Sequence, residues 1–354
     1  MKSAAQTDLF GNPICEFPST RYQGSKQKFI NWIWDCISDL EFETVLDAFG
    51  GTGCFAYAAK KHGKTVQYND ILGFNAIIGK ALIENQGETL DEQDVDRLLD
   101  FSHHDGIPTF ISDTFHDIYY TDEENRWLDD ILFNIRDMDD EYKQSLAYFA
   151  VFQACITKRP YNLFHRKNLY VRFQNVKRSF GNKKTWDTPF ETHFRKFVGE
   201  VNRAAFDNNK PCSASCADAA SLTGSYDLVY IDTPYISNDG KGTDYADFYH
   251  FLNGMVDYDN WKDEIDFSSP HRKLFSKRTA WSSPSEIAGS FSNLFGHFTD
   301  SMLAISYRND GIPSIDWLVS LLESQGKKVS VFESDPVKYV LSNKTTKEML
   351  IVAV

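Results

Sequence analysis

The sequence predicts an α/β protein: one largely parallel sheet ending in an antiparallel hairpin, with a long, mainly helical segment inserted into it. Three observations predict this. Short apolar, β-rich runs fall in two groups, 44–70 and 227–354, separated by a long region of helical character. The first group reads strand, glycine turn, helix, strand, which is how a parallel sheet begins. The last two runs flank a polar Ser342-Asn343-Lys344-Thr345 turn and read as a terminal hairpin. One interrupted sheet accounts for the pattern better than two domains in series. It gives a sheet domain of residues 15–75 and 206–354 and an insertion of residues 76–205.

The elements follow in order. Arg21-Tyr22-Gln23-Gly24-Ser25-Lys26 precedes an amphipathic helix whose apolar positions are Phe29, Ile30, Ile33, Trp34 and Ile37. Lys26 falls in its first turn, where a cation opposes the helix dipole unless an anion meets it. Thr44–Ala48 is a strand that runs into Phe49-Gly50-Gly51-Thr52-Gly53. Cys54–Lys61 has helical composition, and Thr65–Tyr68 is a second strand with Asn69-Asp70 at its tip. Residues 76–150 read as helices. Residues 160–180 mix aromatics with bases, and Asn168–Phe173 alternates like one strand of a hairpin. Further strands are expected at Leu228–Ile231, Met302–Ser306, Lys328–Phe332, Lys338–Leu341 and Met349–Val352. The aromatic run 244–251 reads as packing ahead of lining a pocket.

Composition narrows the function. No apolar run has the length of a membrane span, and the start lacks the apolar core of a signal peptide, so the expected setting is cytoplasmic. Six cysteines without a Cys-x-x-Cys pair point to a reduced compartment and to no metal site. The net charge of −13 conceals a division: residues 84–141 hold 19 acids and 3 bases, whereas residues 158–203 hold 12 bases and 3 acids. A phosphate backbone responds to a local field, so the basic stretch is a candidate nucleic-acid surface.

Two turns carry chemistry. Gly51-Thr52-Gly53-Cys54-Phe55-Ala56, with Asp70 about twenty residues on, fits a strand–turn–helix that cradles an adenosine cofactor. Alone it suits a dinucleotide as well as S-adenosylmethionine, although Asp47 favours a cationic sulfonium over a pyrophosphate. The second is Asp232-Thr233-Pro234-Tyr235, directly after the run Leu228–Ile231. Pro234 holds Thr233 extended, so the Asp232 carboxylate and the Thr233 carbonyl become two acceptors beside an aromatic ring. That arrangement suits a flat group bearing an amine.

In their order and spacing these pieces resemble the Dam-like, alpha-group DNA adenine-N6 methyltransferases, from about Thr20 onwards. Arg-Tyr-Gln-Gly-Ser-Lys is similar to that family's first motif, Asp-Ala-Phe-Gly-Gly-Thr-Gly to its cofactor loop, and Asn69-Asp70 to its ribose-binding acid. Cys216-Ala217-Asp218 is similar to the segment near the cofactor adenine, and Ser306-Tyr307-Arg308-Asn309 to a late loop beside the flipped base. Arg159-Pro160-Tyr161-Asn162-Leu163 resembles the DNA-contacting region of an inserted target-recognition domain. Asp-Thr-Pro-Tyr stands where the family usually has Asp-Pro-Pro-Tyr. Tyr22 stands where tryptophan is commoner.

The resemblance implies a Rossmann-like sheet and methyl transfer from S-adenosylmethionine to N6 of an adenine flipped out of duplex DNA. Asp232, Thr233, Pro234 and Tyr235 would be catalytic. Tyr22, Gly24, Lys26, Asp47, Phe49, Gly51, Gly53, Asp70 and Asp218 would bind the cofactor, with Lys26 meeting its carboxylate. Arg159, Asn162, Arg166, Lys167, Arg172, Lys177 and Arg178 would contact double-stranded DNA. A cognate restriction endonuclease or a defence-system protein is the implied partner class, and a nucleoid-associated place the implied location. Methylation of RNA or of a protein amide nitrogen, and a DNA-binding module without turnover, are the competing readings.

Overall fold

A computed structural model describes residues 15–102, 106–174, 183–238, 240, 242–275, 279–335, 337–338 and 345–354. The chain forms two compact units. One comprises Ser25–Gly79, Asn208–Tyr245 and Lys277–Val354; the other comprises Met1–Gly24, Lys80–Asp207 and Ala246–Ser276.

The first unit is built on a seven-stranded sheet. Its strands are β1 (Thr44–Asp47), β2 (Thr65–Asp70), β3 (Ser213–Cys216), β4 (Leu228–Ile231), β5 (Met302–Arg308), β6 (Val329–Glu333) and β9 (Glu348–Ala353), in the order β3-β2-β1-β4-β5-β9-β6. β7 (Val337–Lys338) and β8 (Thr345–Thr346) form a separate two-stranded pair. β1 to β5 are mutually parallel, and β9 runs antiparallel between β5 and β6. This is a Rossmann-like sheet with one reversed strand, β9, set between β5 and β6.

β4 shows why the central strands are apolar throughout, as expected when both faces are covered. Tyr230 stacks on Phe55 with ring centroids 3.7 Å apart. Val229 and Ile231 face a core of Phe291, Leu294, Leu318 and Leu322 from two helices, Ile287–His297 and Ile315–Ser324.

β1 pairs with β2 on one side and β4 on the other, so the strand order reverses between β1 and β4. Asp47 lies in register with Tyr230, and Asp232 follows two residues later. A reversal of this kind opens a crevice at the carboxyl ends of the two strands. Both acids singled out by the sequence are there.

The second unit is helical. Asp122–Arg136, Glu141–Lys158 and Phe190–Ala204 are its long helices. Thr121 and Glu124 close a reciprocal capping box at the first, and Asp140 caps the second. The helix Tyr245–Val256 supplies this unit with Phe251, which packs with Phe115, Phe164 and Trp261. The end of the run 244–251 is therefore core: Tyr249, His250 and Phe251 are buried. A Cβ on Gly254 would lie 2.0 Å from the Trp261 ring, so glycine is required there.

Three local expectations change. Tyr170–Phe173 is a helical turn, not a strand. The alternation of Leu169, Val171 and Phe173 imitates a strand, but Arg172 is drawn inward to Glu124, and so short a run cannot settle its own period. β3 was missed because Ser-Ala-Ser-Cys has no branched or aromatic residue; as an edge strand it needs only to pair with β2. Finally, the partners of the last strand in the sheet are β5 and β6, whereas of the expected strand Lys338–Leu341 only Lys338 is described, in β7 paired with β8.

Candidate active site

The site is assembled on the sheet unit from two adjacent turns. At the first, Gly51 and Gly53 have φ of 52° and 75°, which makes the turn after β1 tight enough to start the helix Cys54–Lys61 directly. Gly50 has another reason: a Cβ there would lie 2.0 Å from the Tyr68 ring, whose hydroxyl donates to the Gly51 carbonyl at 2.7 Å. The Gly51 amide donates to Asp70 Oδ2 at 2.9 Å, and the Leu72 amide to Oδ1 at 2.8 Å. These bonds fix the acid at the tip of β2. Asn69 Nδ2 donates to the carbonyls of Ala48 and Ala217, tying β1 to the segment that carries Asp218.

Asp218 accepts from the Ala220 amide at 2.9 Å and from Trp281 Nε1 at 3.2 Å, while Phe49 meets the Trp281 ring edge-on at 4.9 Å. Thus Asp47, Phe49, Gly51, Gly53, Asp70 and Asp218 converge, and Trp281 joins them. Nothing local in the sequence marks Trp281, which reaches the site from 63 residues beyond Asp218.

Asp47 is buried, and its Oδ1 has no hydrogen-bond partner among the described residues. Burial pushes this acid well above its ordinary range, and the neighbouring Asp232 and Asp70 add to the effect. A buried carboxylate oxygen without a donor is costly until a cation arrives.

The second turn follows β4. The Tyr235 hydroxyl lies 2.9 Å from Asp232 Oδ1 and 2.7 Å from Glu348 Oε1, and it donates its one proton to either. Lys26 donates to the same hydroxyl, with Nζ 2.8 Å from Glu348 and 3.3 Å from Asp232. Its ammonium also sits 4.4 Å from the Tyr235 ring centroid, and Tyr307 meets that ring edge-on at 5.8 Å. Ser306 donates to Glu348 at 2.9 Å. Asp232 is pushed up to about 6, chiefly by burial; Lys26 opposes the shift and Glu348 reinforces it. Thr233 is buried, and its Oγ1 has no hydrogen-bond partner among the described residues.

The other expected residues have the following surroundings. Lys26, expected to meet a cofactor carboxylate, meets two carboxylates of the protein here, Asp232 and Glu348, and nothing in the sequence marks Glu348. Tyr22 and Gly24 fall in the helical unit, where the Tyr22 ring stacks on Tyr249 at 4.5 Å. Arg159 is 1% exposed: it lies over the Tyr119 ring and donates to the carbonyls of Leu163 and Arg166. It is a scaffold inside the loop. Arg172 is likewise buried, in a two-bond pair with Glu124.

The loop held by Arg159 presents other groups. Tyr161 and Asn162 have φ of 65° and 60°, a conformation costing about 1–3 kcal/mol each that persists only where its surroundings impose it. Tyr161, Arg166 and Lys167 are exposed and Asn162 half-buried; Lys167 pairs with Asp117 at 2.8 Å. Lys177 and Arg178 lie outside the described residues.

The chain is similar to known proteins over most of its length. Residues 22–300 match the family described as D12 class N6 adenine-specific DNA methyltransferase. The type II methyltransferase M2.HphI of Haemophilus parahaemolyticus is 29% identical over 94% of this chain and 95% of its own. The type II methyltransferase M.NlaIII of Neisseria lactamica is 23% identical over 86% and 88%. The modification methylase LlaI of Lactococcus lactis subsp. lactis is 25% identical over 85% of this chain, which spans only 48% of that protein.

Proposed function

Since the chain belongs to the D12 class N6 adenine-specific DNA methyltransferase family, we propose that the turn after β4 performs the transfer and the turn after β1 holds the methyl donor. The protein is a site-specific DNA adenine methyltransferase that uses S-adenosylmethionine. When bound, that cofactor supplies a methyl group made electrophilic by a sulfonium.

The residues present suit such a group. Asp47 offers a buried, donor-less oxygen to a cation. Asp70 offers acceptors to ribose hydroxyls. Asp218 offers a carboxylate beside the rings of Phe49 and Trp281, appropriate to an aminopurine.

The amino nitrogen of adenine is a poor nucleophile, because its lone pair is delocalised into the ring. Two hydrogen bonds, from N6 to the Asp232 carboxylate and to the Thr233 carbonyl, draw the nitrogen toward tetrahedral and free the lone pair. They strengthen as positive charge develops, so their energy appears mainly in the transition state. Asp232, lifted to about 6, is also a base suited to the departing N6 proton at near-neutral pH. Tyr235, locked through its hydroxyl, gives the base a rigid aromatic neighbour. Thr233 in place of a first proline leaves the carbonyl in position, because Pro234 still dictates the backbone.

In the helical unit, Asn162, Arg166 and Lys167 are the described candidates for DNA, Asn162 and Arg166 for base edges and Lys167 for phosphates. The names of the relatives support a modification role; the partner class proposed with it is a cognate restriction endonuclease or another defence-system protein, and the proposed working location is nucleoid DNA. The observation that carries the assignment is Asp232, held at the strand-order reversal by Tyr235 and Lys26.

The test is incubation with S-adenosylmethionine and unmethylated duplex DNA, followed by nucleoside digestion and mass spectrometry. N6-methyladenine with the wild type and none with Asp232→Ala is the expected result. Undiminished methylation by the variant would remove Asp232 from the mechanism. Methylation of RNA or a protein amide instead of DNA would contradict the substrate assignment.

A further inference from the structure

We propose that Glu348, on the last strand of the sheet, is a positioning residue for methyl transfer: it holds Lys26 away from full pairing with Asp232 and so preserves that carboxylate as a strong acceptor for the adenine amine. This inference rests on the assignment of Asp232 as the catalytic acceptor.

The geometry is a shared cation. Lys26 Nζ is 2.8 Å from Glu348 Oε1 and 3.3 Å from Asp232 Oδ1, so the closer partner is the acid that touches no substrate. Glu348 is 2% exposed, and three donors converge on its Oε1: Lys26, Ser306 at 2.9 Å and Tyr235 at 2.7 Å. Its register partner on β5 is Arg308, but that guanidinium is turned to Asp310 with two bonds of 2.8 Å. Glu348 is therefore directed at the β4 turn. A buried acid at a strand start ordinarily needs one cation; this one takes the cation that a catalytic acid would otherwise monopolise.

The energetic sense follows from the groups that face Asp232. Lys26 and Tyr235 stabilise its charge, and Glu348 and Asp47 oppose it. Cys54 and Tyr230 also lie close, both kept neutral by burial. A carboxylate fully neutralised by an ammonium accepts weakly from an amine that is only becoming cationic. One whose partner is shared accepts more strongly as charge develops.

The test is the pH dependence of single-turnover methylation in the full-length protein, for wild type, Glu348→Gln and Lys26→Gln. In Glu348→Gln the cation turns wholly to Asp232, so the acid limb moves to lower pH by about half a unit or more and the plateau rate falls several-fold. Lys26→Gln moves the limb the other way. Cofactor binding by Glu348→Gln, measured calorimetrically, stays within about twofold of wild type. Limbs that do not move, or a loss of rate that only tracks loss of folded protein, would overturn the inference. Should Glu348→Gln fail to fold, Glu348→Asp decides: its shorter side chain withdraws from Lys26, so the acid limb should again move to lower pH, and a limb that stays at the wild-type position would overturn the inference.

Asp232→Asn separates this from the underlying assignment. If Asp232→Asn is inactive and the limbs stay fixed, only the role of Glu348 fails. If Asp232→Asn remains active, the assignment itself fails.

Discussion

Asp47 and Asp232 stand at the carboxyl ends of neighbouring parallel strands, and the sheet treats them oppositely. Both are raised by burial, Asp47 well above its ordinary range and Asp232 to about 6. Asp232 has a hydroxyl and an ammonium beside it, whereas one oxygen of Asp47 has no donor among the described residues. The difference is one of purpose. A carboxylate that must accept from a neutral amine, and be released afterwards, is best balanced by the protein itself. A carboxylate that receives a permanently cationic ligand can be left to that ligand. Two acids raised by burial, placed beside different neighbours, thus give one acceptor and one counter-ion.

The comparison breaks most sharply at Asp232. Asp232→Asn removes a transition-state acceptor, and single-turnover methylation should fall at least about 100-fold. The fold should be retained or gain slightly. Because the folded value lies above the ordinary 3.8, the stability linked to this group is fully present below pH 3.8 and is lost as pH rises through about 6. At pH 7.5 the asparagine removes that penalty, and Tm by calorimetry should not drop. An equal fall in Tm and activity would make Asp232 structural.

Asp47→Asn should instead weaken S-adenosylmethionine by about 10- to 100-fold, the scale of one charge-assisted contact, while the rate at saturating cofactor changes far less. Titration calorimetry against single-turnover rates separates the two residues. Identical profiles for both variants would erase the distinction drawn here. In the wild type the rate should fall about tenfold per pH unit below 6, since methylation needs ionised Asp232. Cofactor affinity should not share that midpoint.

How far this could be read beforehand depends on the reach of each interaction. Gly51, Gly53, Asp70 and the Asp232–Tyr235 turn announce themselves because their constraints are local: a positive φ, a proline, an acid at a strand tip. Glu348 and Trp281 are silent in sequence, since each acquires meaning from a partner 42 or more residues away. Lys26 was rightly seen to need an anion, but whether that anion was bound or built in is a property of the packed sheet. Arg159 and Arg172 misled for the same reason. Basic residues in a basic stretch look like surface, and only the positions of Tyr119, Leu163 and Glu124 reveal that both are core.

That contrast within the helical unit yields the smallest expected effect. Arg166 is exposed and bonds only to the adjacent His165 ring among the described residues, whereas Arg159 crosslinks the loop that presents it. Arg166→Ala should leave Tm unchanged and weaken duplex binding a few-fold. If it meets a phosphate, the slope of log K against log salt should drop by about one; if it reads a base edge, discrimination between targets should drop instead. Arg159→Lys removes a planar donor set that a point cation cannot replace, so both Tm and DNA binding should fall together. Fluorescence anisotropy at two salt concentrations with parallel melts is sufficient. A normal melt with lost DNA binding in Arg159→Lys would return that residue to the interface, and the loop would then have to open before it meets DNA.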